Sequence, residues 1–92
     1  MKHIEWSELK NSKLKSLRGI CFEDVQTAIE ENGVLDEVKH PNQKQYKNQH
    51  ILIVKINDYA YLVPYIEDET KIFLKTIIPN RKATKKYLKG GK

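Results

Sequence analysis

The stretch from His50 to Ile66 limits the possible folds more than any other part of the chain. Ile51-Leu52-Ile53-Val54 is an unbroken apolar run, and a run without alternation marks a strand covered on both faces. The pattern predicts a strand over 50–56, a two-residue turn at Asn57-Asp58 and a returning strand over 59–66. The turn lacks the usual Gly at its second position. Pro64 falls inside the returning strand and has no N–H to give to a ladder, so a bulge or an unpaired side is required there.

Ninety-two residues must provide that cover from a single domain. Folding a chain this short buries only roughly 60–65% of its unfolded surface, which leaves one pair of layers and no interior room for a dinucleotide, a haem or a large substrate. Both apolar runs, Ile51 to Val54 and Ala60 to Ile66, fall far short of the roughly 20 residues a membrane-spanning helix needs. Cys21 is the single cysteine and has no partner within the chain for a disulfide. With no charged leader and apolar core at the start, the expected location is a reducing cytoplasm.

The flanking segments read as follows. Residues 2–5 form a short edge strand, and Ser7 is the expected N-cap of a helix reaching about Leu17, with Glu8 at its positive end. Trp6, Leu9, Lys13 and Leu17 recur at helical spacing with Leu14 beside them, which predicts one narrow apolar stripe and leaves Lys10, Asn11 and Lys15 to water. Gly19 and Ile20 close this helix. A second helix starts near Phe22, with Glu23 and Asp24 at its N-terminus, buries Phe22, Val25, Ala28 and Ile29, and ends by Gly33. Residues 34–38 form a strand and 39–48 a polar loop. Residues 71–78 form the last strand, with Ile72, Leu74, Thr76 and Ile78 on one face and Lys71, Phe73, Lys75 and Ile77 on the other. Pro79-Asn80 ends it, and a basic helix over 81–89 carries Ala83, Thr84, Tyr87 and Leu88 on one side. The 89–92 tail is expected to fray.

The expected fold is therefore α+β with the order β-α-α-β-β-β-β-α. A helical hairpin packs on one face of a twisted antiparallel sheet, leaving part of the other face and the last helix open to a partner.

Two blocks resemble a known family. Ile4-Glu5-Trp6, Lys10, Gly19-Ile20 and Phe22-Glu23-Asp24 are similar to the opening of the BrnT-type toxins of bacterial toxin–antitoxin systems, within the wider RelE/ParE-like fold. Ile77-Ile78 followed by Arg81-Lys82-Ala83-Thr84-Lys85-Lys86 and Tyr87 is similar to the family's strand-to-helix ending. The blocks cover about half the chain. Cys21 stands where the family has a capping Ser, and Pro79-Asn80 replaces the small residues before the Arg. The His40-Pro41-Asn42 loop with Tyr46, Asn48 and Gln49 resembles a subgroup pattern to which no residue roles are assigned. The resemblance implies a RelE-like fold and a ribonuclease that cuts messenger RNA without a metal and arrests translation. It also implies a cognate antitoxin, often a ribbon-helix-helix protein, that neutralises the toxin in a hetero-oligomer. Independently of it, the sequence has no Cys/His cluster at zinc spacing, no carboxylate cluster for Mg²⁺ and no Gly-rich phosphate loop, so no metal or other cofactor is expected.

Metal-free cleavage uses the 2′-hydroxyl of RNA as nucleophile, and requires a group to take its proton, cations to stabilise the phosphorane and a donor for the leaving 5′-oxygen. Arg81, carried over from the resemblance, would meet a phosphate at a helix N-terminus; the alternative is a surface Arg. Lys75 is a mid-strand candidate, or an edge lysine that discourages aggregation. His40 is a candidate acid or base because its ordinary pKa is about 6.5, or a plain loop residue; His50 and His3 rank below it. Lys10 is a candidate from the family match, or a snorkelling surface residue. Lys71, Lys82, Lys85 and Lys86 are phosphate positioners or a solvated basic face. Tyr87 stacks on a base or packs, and Trp6 packs. Tyr59, Tyr61 and Tyr65 share one strand face, a stacking platform if open and core if covered. A non-catalytic nucleic-acid-binding or protein-interaction module is the alternative function.

The formal charge of +5 is uneven. Residues 71–92 carry 8 of the 17 basic residues and no acid, whereas 19–38 carry six acids and no base. The last strand and helix are thus the edge expected to meet RNA, and the second helix the edge facing away.

Overall fold

The computed structural model describes residues 3–39, 41–45 and 48–89, so the readings of Lys2, His40, Tyr46 and residues 90–92 of the expected 89–92 tail lie outside the described residues, while Lys89 ends a helical stretch. The elements are β1 (His3–Trp6), α1 (Glu8–Arg18), α2 (Phe22–Glu30), β2 (Val34–Lys39), β3 (Gln49–Ile56), β4 (Tyr59–Glu67), β5 (Lys71–Leu74), β6 (Ile78–Pro79) and α3 (Arg81–Thr84). A π-helical stretch, Lys85–Lys89, continues α3 where a single α-helix was expected. The class is α+β, with three helices and a mixed six-stranded sheet.

The strand order is β1-β5-β4-β3-β2, with β6 also paired to β4. The unbroken apolar strand β3 is interior, although the middle position belongs to β4. Its neighbours Ile53 and Val54 are both buried and belong to different cores on opposite faces, as a strand covered on both sides requires. Asn57 (φ 53°) and Asp58 (φ 62°) make the β3–β4 turn in the left-handed region, which short polar side chains tolerate without glycine. The all-antiparallel expectation is corrected at one edge: β1 runs parallel to β5, Ile4 opposite Ile72. Three reversals from β2 to β5 return the chain to the direction of β1.

The expected single strand over 71–78 is broken. Tyr65 pairs with Leu74 and Leu62 with Ile78, so three residues, 75–77, span the place of two, Val63 and Pro64. The Lys75 N–H donates to the Pro64 carbonyl at 2.8 Å. Carbonyl and nitrogen of one strand residue point to the same side, so the missing N–H of Pro64 faces this bulge. The extra residue reverses the face of everything after it. Ile77, not Ile78, enters the core with Leu74 and Tyr65 (0% and 40% exposed, respectively, for Ile77 and Ile78). Lys75 is consequently not a mid-strand lysine sharing a face with Ile77.

The helical pair covers one sheet face through Leu14, Phe22, Val25 and Ala28 against Val54, Val63, Tyr65 and Leu74. Tyr59, Tyr61 and Tyr65 lie on this covered side, Tyr65 fully buried and Tyr61 against the core, so they form no open platform. Trp6 stacks on Phe22 at 5.6 Å. Ser7 caps α1 and Gly19 (φ 66°) ends it. Gly33 donates to the Ala28 carbonyl at 2.6 Å, so close that a Cβ there would stand 3.0 Å from the Cβ of Ala28.

The α1 stripe is turned from its expected position. Leu9 and Leu17 are 72% and 81% exposed, while Asn11 and Leu14 are buried. The reason is the start of α2. Cys21 is a weak capping residue, and Asn11 reaches across instead: its Oδ1 accepts the Phe22 N–H at 2.7 Å and its Nδ2 donates to Glu23 at 2.8 Å. The Asp24 carboxylate accepts the Cys21 N–H, and burial, foremost, raises the Cys21 thiol pKa.

Two stability measurements check this arrangement. Ile77→Ala should cost about 2–5 kcal/mol in denaturant unfolding and Ile78→Ala under about 1 kcal/mol; the reverse order would mean an unbroken strand. Asn11→Ala leaves the buried Phe22 N–H unpaired and should cost about 1–3 kcal/mol, with a change within about 0.5 kcal/mol excluding the capping role.

Candidate functional site

The second face of the sheet is only partly covered. α3 and its π-helical continuation lie across it through Ala83, Tyr87 and Leu88 against Leu35, Ile53, Ala60 and Leu62. Two features hold α3 there. The Ala60 N–H donates to Thr84 Oγ1 at 2.9 Å and the Ala60 carbonyl accepts the Asn80 N–H at 3.1 Å. Ala60 has almost no side chain, so the helix approaches the strand closely. Beyond α3 the face stays apolar and half open: Val38 pairs with Ile51 and Ile51 with Pro64, while Ile66 pairs with Phe73. Val38, Ile66 and Ile78 are the exposed large apolar residues of this face.

Between α3 and β2 this surface sinks into an open groove of about 340 Å³. Val38, Ile51, Ile53 and Leu62 form its floor, and Asn80, Lys82, Ala83, Lys86 and Tyr87 its wall. An apolar floor beside two ammonium groups suits a flat apolar ring joined to an anion. Lys86 Nζ lies 5.2 Å from the centre of the Tyr87 ring, within cation–π range.

The Tyr87 hydroxyl donates to Asp36 Oδ2 at 2.6 Å and ties the π-helical segment to edge strand β2. This bond holds the Asp36 carboxyl below the usual carboxylate range, helped by the Glu37 N–H that donates to Oδ1 and by Lys86. The same carboxylate raises the Tyr87 pKa. Tyr87 is therefore an anchoring hydroxyl that gives up its proton less readily than a free tyrosine.

Among the residues expected from sequence, Lys82, Lys86 and Tyr87 meet in the groove. Arg81 and Lys85 are exposed on the same helical segment but do not line it. One donor of the phosphate cradle expected at Arg81 is taken by the chain itself, because Asn80 Oδ1 accepts the Ala83 N–H at 2.7 Å. Lys75 is exposed in the bulge. Lys71 stands at the other end of the sheet, 3.7 Å from Glu5. Lys10 is exposed on α1, on the far side of the sheet from α3. His50 stacks on Tyr65 on the helix-bearing face, and His3 is 3.5 Å from Glu5. Among the described residues no His, Cys, Asp and Glu group could hold a metal, and no helix is long and apolar enough to cross a membrane. The sequence reading missed Asp36, which no local pattern marks, and Asn80, which could have been read as an N-cap from its place before a helix.

Tyr87→Phe should speed amide exchange across 85–89 while leaving the Phe22 and Val54 amides unchanged; unaltered exchange would mean that the Asp36 bond holds nothing. Because the folded Asp36 pKa is depressed, its contribution is complete above the unfolded value of about 3.9. It is lost as pH falls through the lower folded value, and Asp36→Asn should abolish that acid-side loss of protection at 85–89. No family model, curated protein or solved structure matches this chain.

Proposed function

We propose that the protein is the toxin of a type II toxin–antitoxin system, a cytoplasmic, metal-independent endoribonuclease that cuts messenger RNA and inhibits translation. The observation that carries this reading is the groove in which Lys82 and Lys86 stand over an apolar floor, on the chain segment that bears eight basic residues and no acid. Such a surface favours a single strand, whose bases stack on apolar or aromatic groups while cations follow the phosphates. The BrnT-like terminal blocks add the reaction class, the RelE-like fold assignment and a cognate antitoxin, of ribbon-helix-helix type or otherwise.

In the proposed reaction the 2′-oxygen of one nucleotide attacks the adjacent phosphorus. Its proton passes to a base, the P–O5′ bond breaks, and the 5′-oxygen receives a proton, leaving a 2′,3′-cyclic phosphate. Lys82 and Lys86 would position phosphates, and Arg81, on the same helical segment, and Lys75, exposed in the bulge, are the cations proposed to offset the charge of the phosphorane. A second reading, nucleic-acid binding without cleavage, is favoured by one observation: the hydroxyl nearest the groove, that of Tyr87, is committed to Asp36.

The two readings separate in one experiment on the full chain. With EDTA present, messenger RNA should be cut to cyclic-phosphate ends, and inducible expression should arrest growth unless the neighbouring gene is co-expressed. Arg81→Ala and Lys75→Ala should each slow cleavage about 100-fold, and Lys82→Ala with Lys86→Ala should weaken RNA binding roughly tenfold and flatten its salt dependence. Binding without cleavage selects the second reading; a folded protein that neither binds nor cuts RNA removes both.

A further inference from the structure

The opposite, helix-bearing side of the sheet presents two surfaces that the RNA reading does not use. α1 and α2 leave one end of that sheet face bare, and a cleft of about 170 Å³ opens there. Ile4, Leu52, Ile72 and Leu74 from the sheet and Ile29 from α2 line it, with Glu37 at its rim. This volume matches one large aliphatic side chain or a phenyl ring and is below the range of small-molecule sites, roughly 300–1,000 Å³. Glu37 is the charged residue that lines the cleft, and Glu30 and Glu31 follow Ile29 at the end of α2. Lys39, two residues beyond Glu37, is the cation of β2. An apolar side chain carried on a basic segment complements an apolar cleft with Glu37 in its lining.

Such a segment is present on the same chain. Leu9 and Leu17 are the most exposed of the large apolar residues described, 72% and 81%, and they bracket Lys13 at successive helical steps of four. Lys10 and Lys15 flank the stripe. The single acid of α1, Glu8, accepts the Trp6 indole N–H at 3.1 Å.

We infer that the chain self-associates head to tail, the Leu9–Lys13–Leu17 stripe of α1 on one copy seating a leucine in the cleft beside α2 on the next, with Lys13 against Glu37. Like-with-like pairing is disfavoured, because stripe on stripe opposes lysines and cleft on cleft opposes glutamates. The contact joins two different surfaces, so it extends beyond a dimer unless the rotation closes a ring. It does not depend on the ribonuclease reading, since it lies on the other side of the sheet.

Analytical ultracentrifugation of the purified full chain tests the contact. The 10.8 kDa monomer should give way to larger species as concentration rises toward about 1 mM, more readily at low salt. Leu9→Ser with Leu17→Ser should abolish association, both positions being exposed enough to leave folding intact by circular dichroism. Lys13→Glu and Glu37→Lys should each weaken it roughly tenfold, and together restore it. A monomer at all concentrations, association indifferent to these changes, or a charge-swapped pair that fails to recover would each overturn the inference.

Discussion

A missing hydrogen-bond donor at Pro64 sets the geometry on which the rest of the second sheet face depends. Every interior strand residue must place its N–H and carbonyl, and β4 cannot do so at this position on the side facing β5. The chain accommodates the gap with an extra residue between Leu74 and Ile78. Two consequences follow from that residue. Ile77 turns into the core under the helices, where Arg18 Nη1 donates to its carbonyl at 2.7 Å and links the end of α1 to the bulge. Ile78 and Pro79 resume pairing with β4 one residue out of phase, which delivers Asn80 to Ala60 and starts α3 across the open face.

The molecule is then divided by its sheet into two sides of different character. One side carries the larger core, the acidic α2 and the apolar cleft beside Ile29. The other carries a small core of Ile53, Ala60 and Ala83, and beside it a groove whose wall is cationic. Asp36 ties the edge to the groove wall: it accepts the Glu37 N–H of edge strand β2, and it holds Tyr87 in place. The cations of the groove wall belong to the α3 segment, whereas on the helix side the acidic α2 lies beside the basic α1.

Much of the architecture was legible because it rests on local rules. The Asn57-Asp58 turn, the Ser7 and Gly19 caps and the apolar β3 are each specified within a few residues, and so is the need for irregularity at Pro64. What was misread depended on partners distant in sequence. Asn11 looks like a surface residue until the α2 N-terminus, left poorly capped by Cys21, is brought beside it. Lys75 looks like a mid-strand lysine until the bulge decides where alternation restarts. In the candidate site, Lys82, Lys86 and Tyr87 were legible from the basic helix, whereas Asp36 lies 51 positions from Tyr87 and no spacing rule links them.

Sequence by itself determined the class of elements, the unequal division of charge and the place where the ladder had to fail, because periodicity, side-chain charge and a missing N–H are properties of the residues themselves. The tertiary structure alone decided which face each side chain serves. A one-residue bulge moved Ile77 inward, a cross-helix hydrogen bond from Asn11 turned Leu9 and Leu17 outward, and the close approach of α3 to Ala60 gathered Lys82 and Lys86 over an apolar floor. Facing is set by pairing register and by unsatisfied polar groups finding distant partners, and neither exists until the chain is folded.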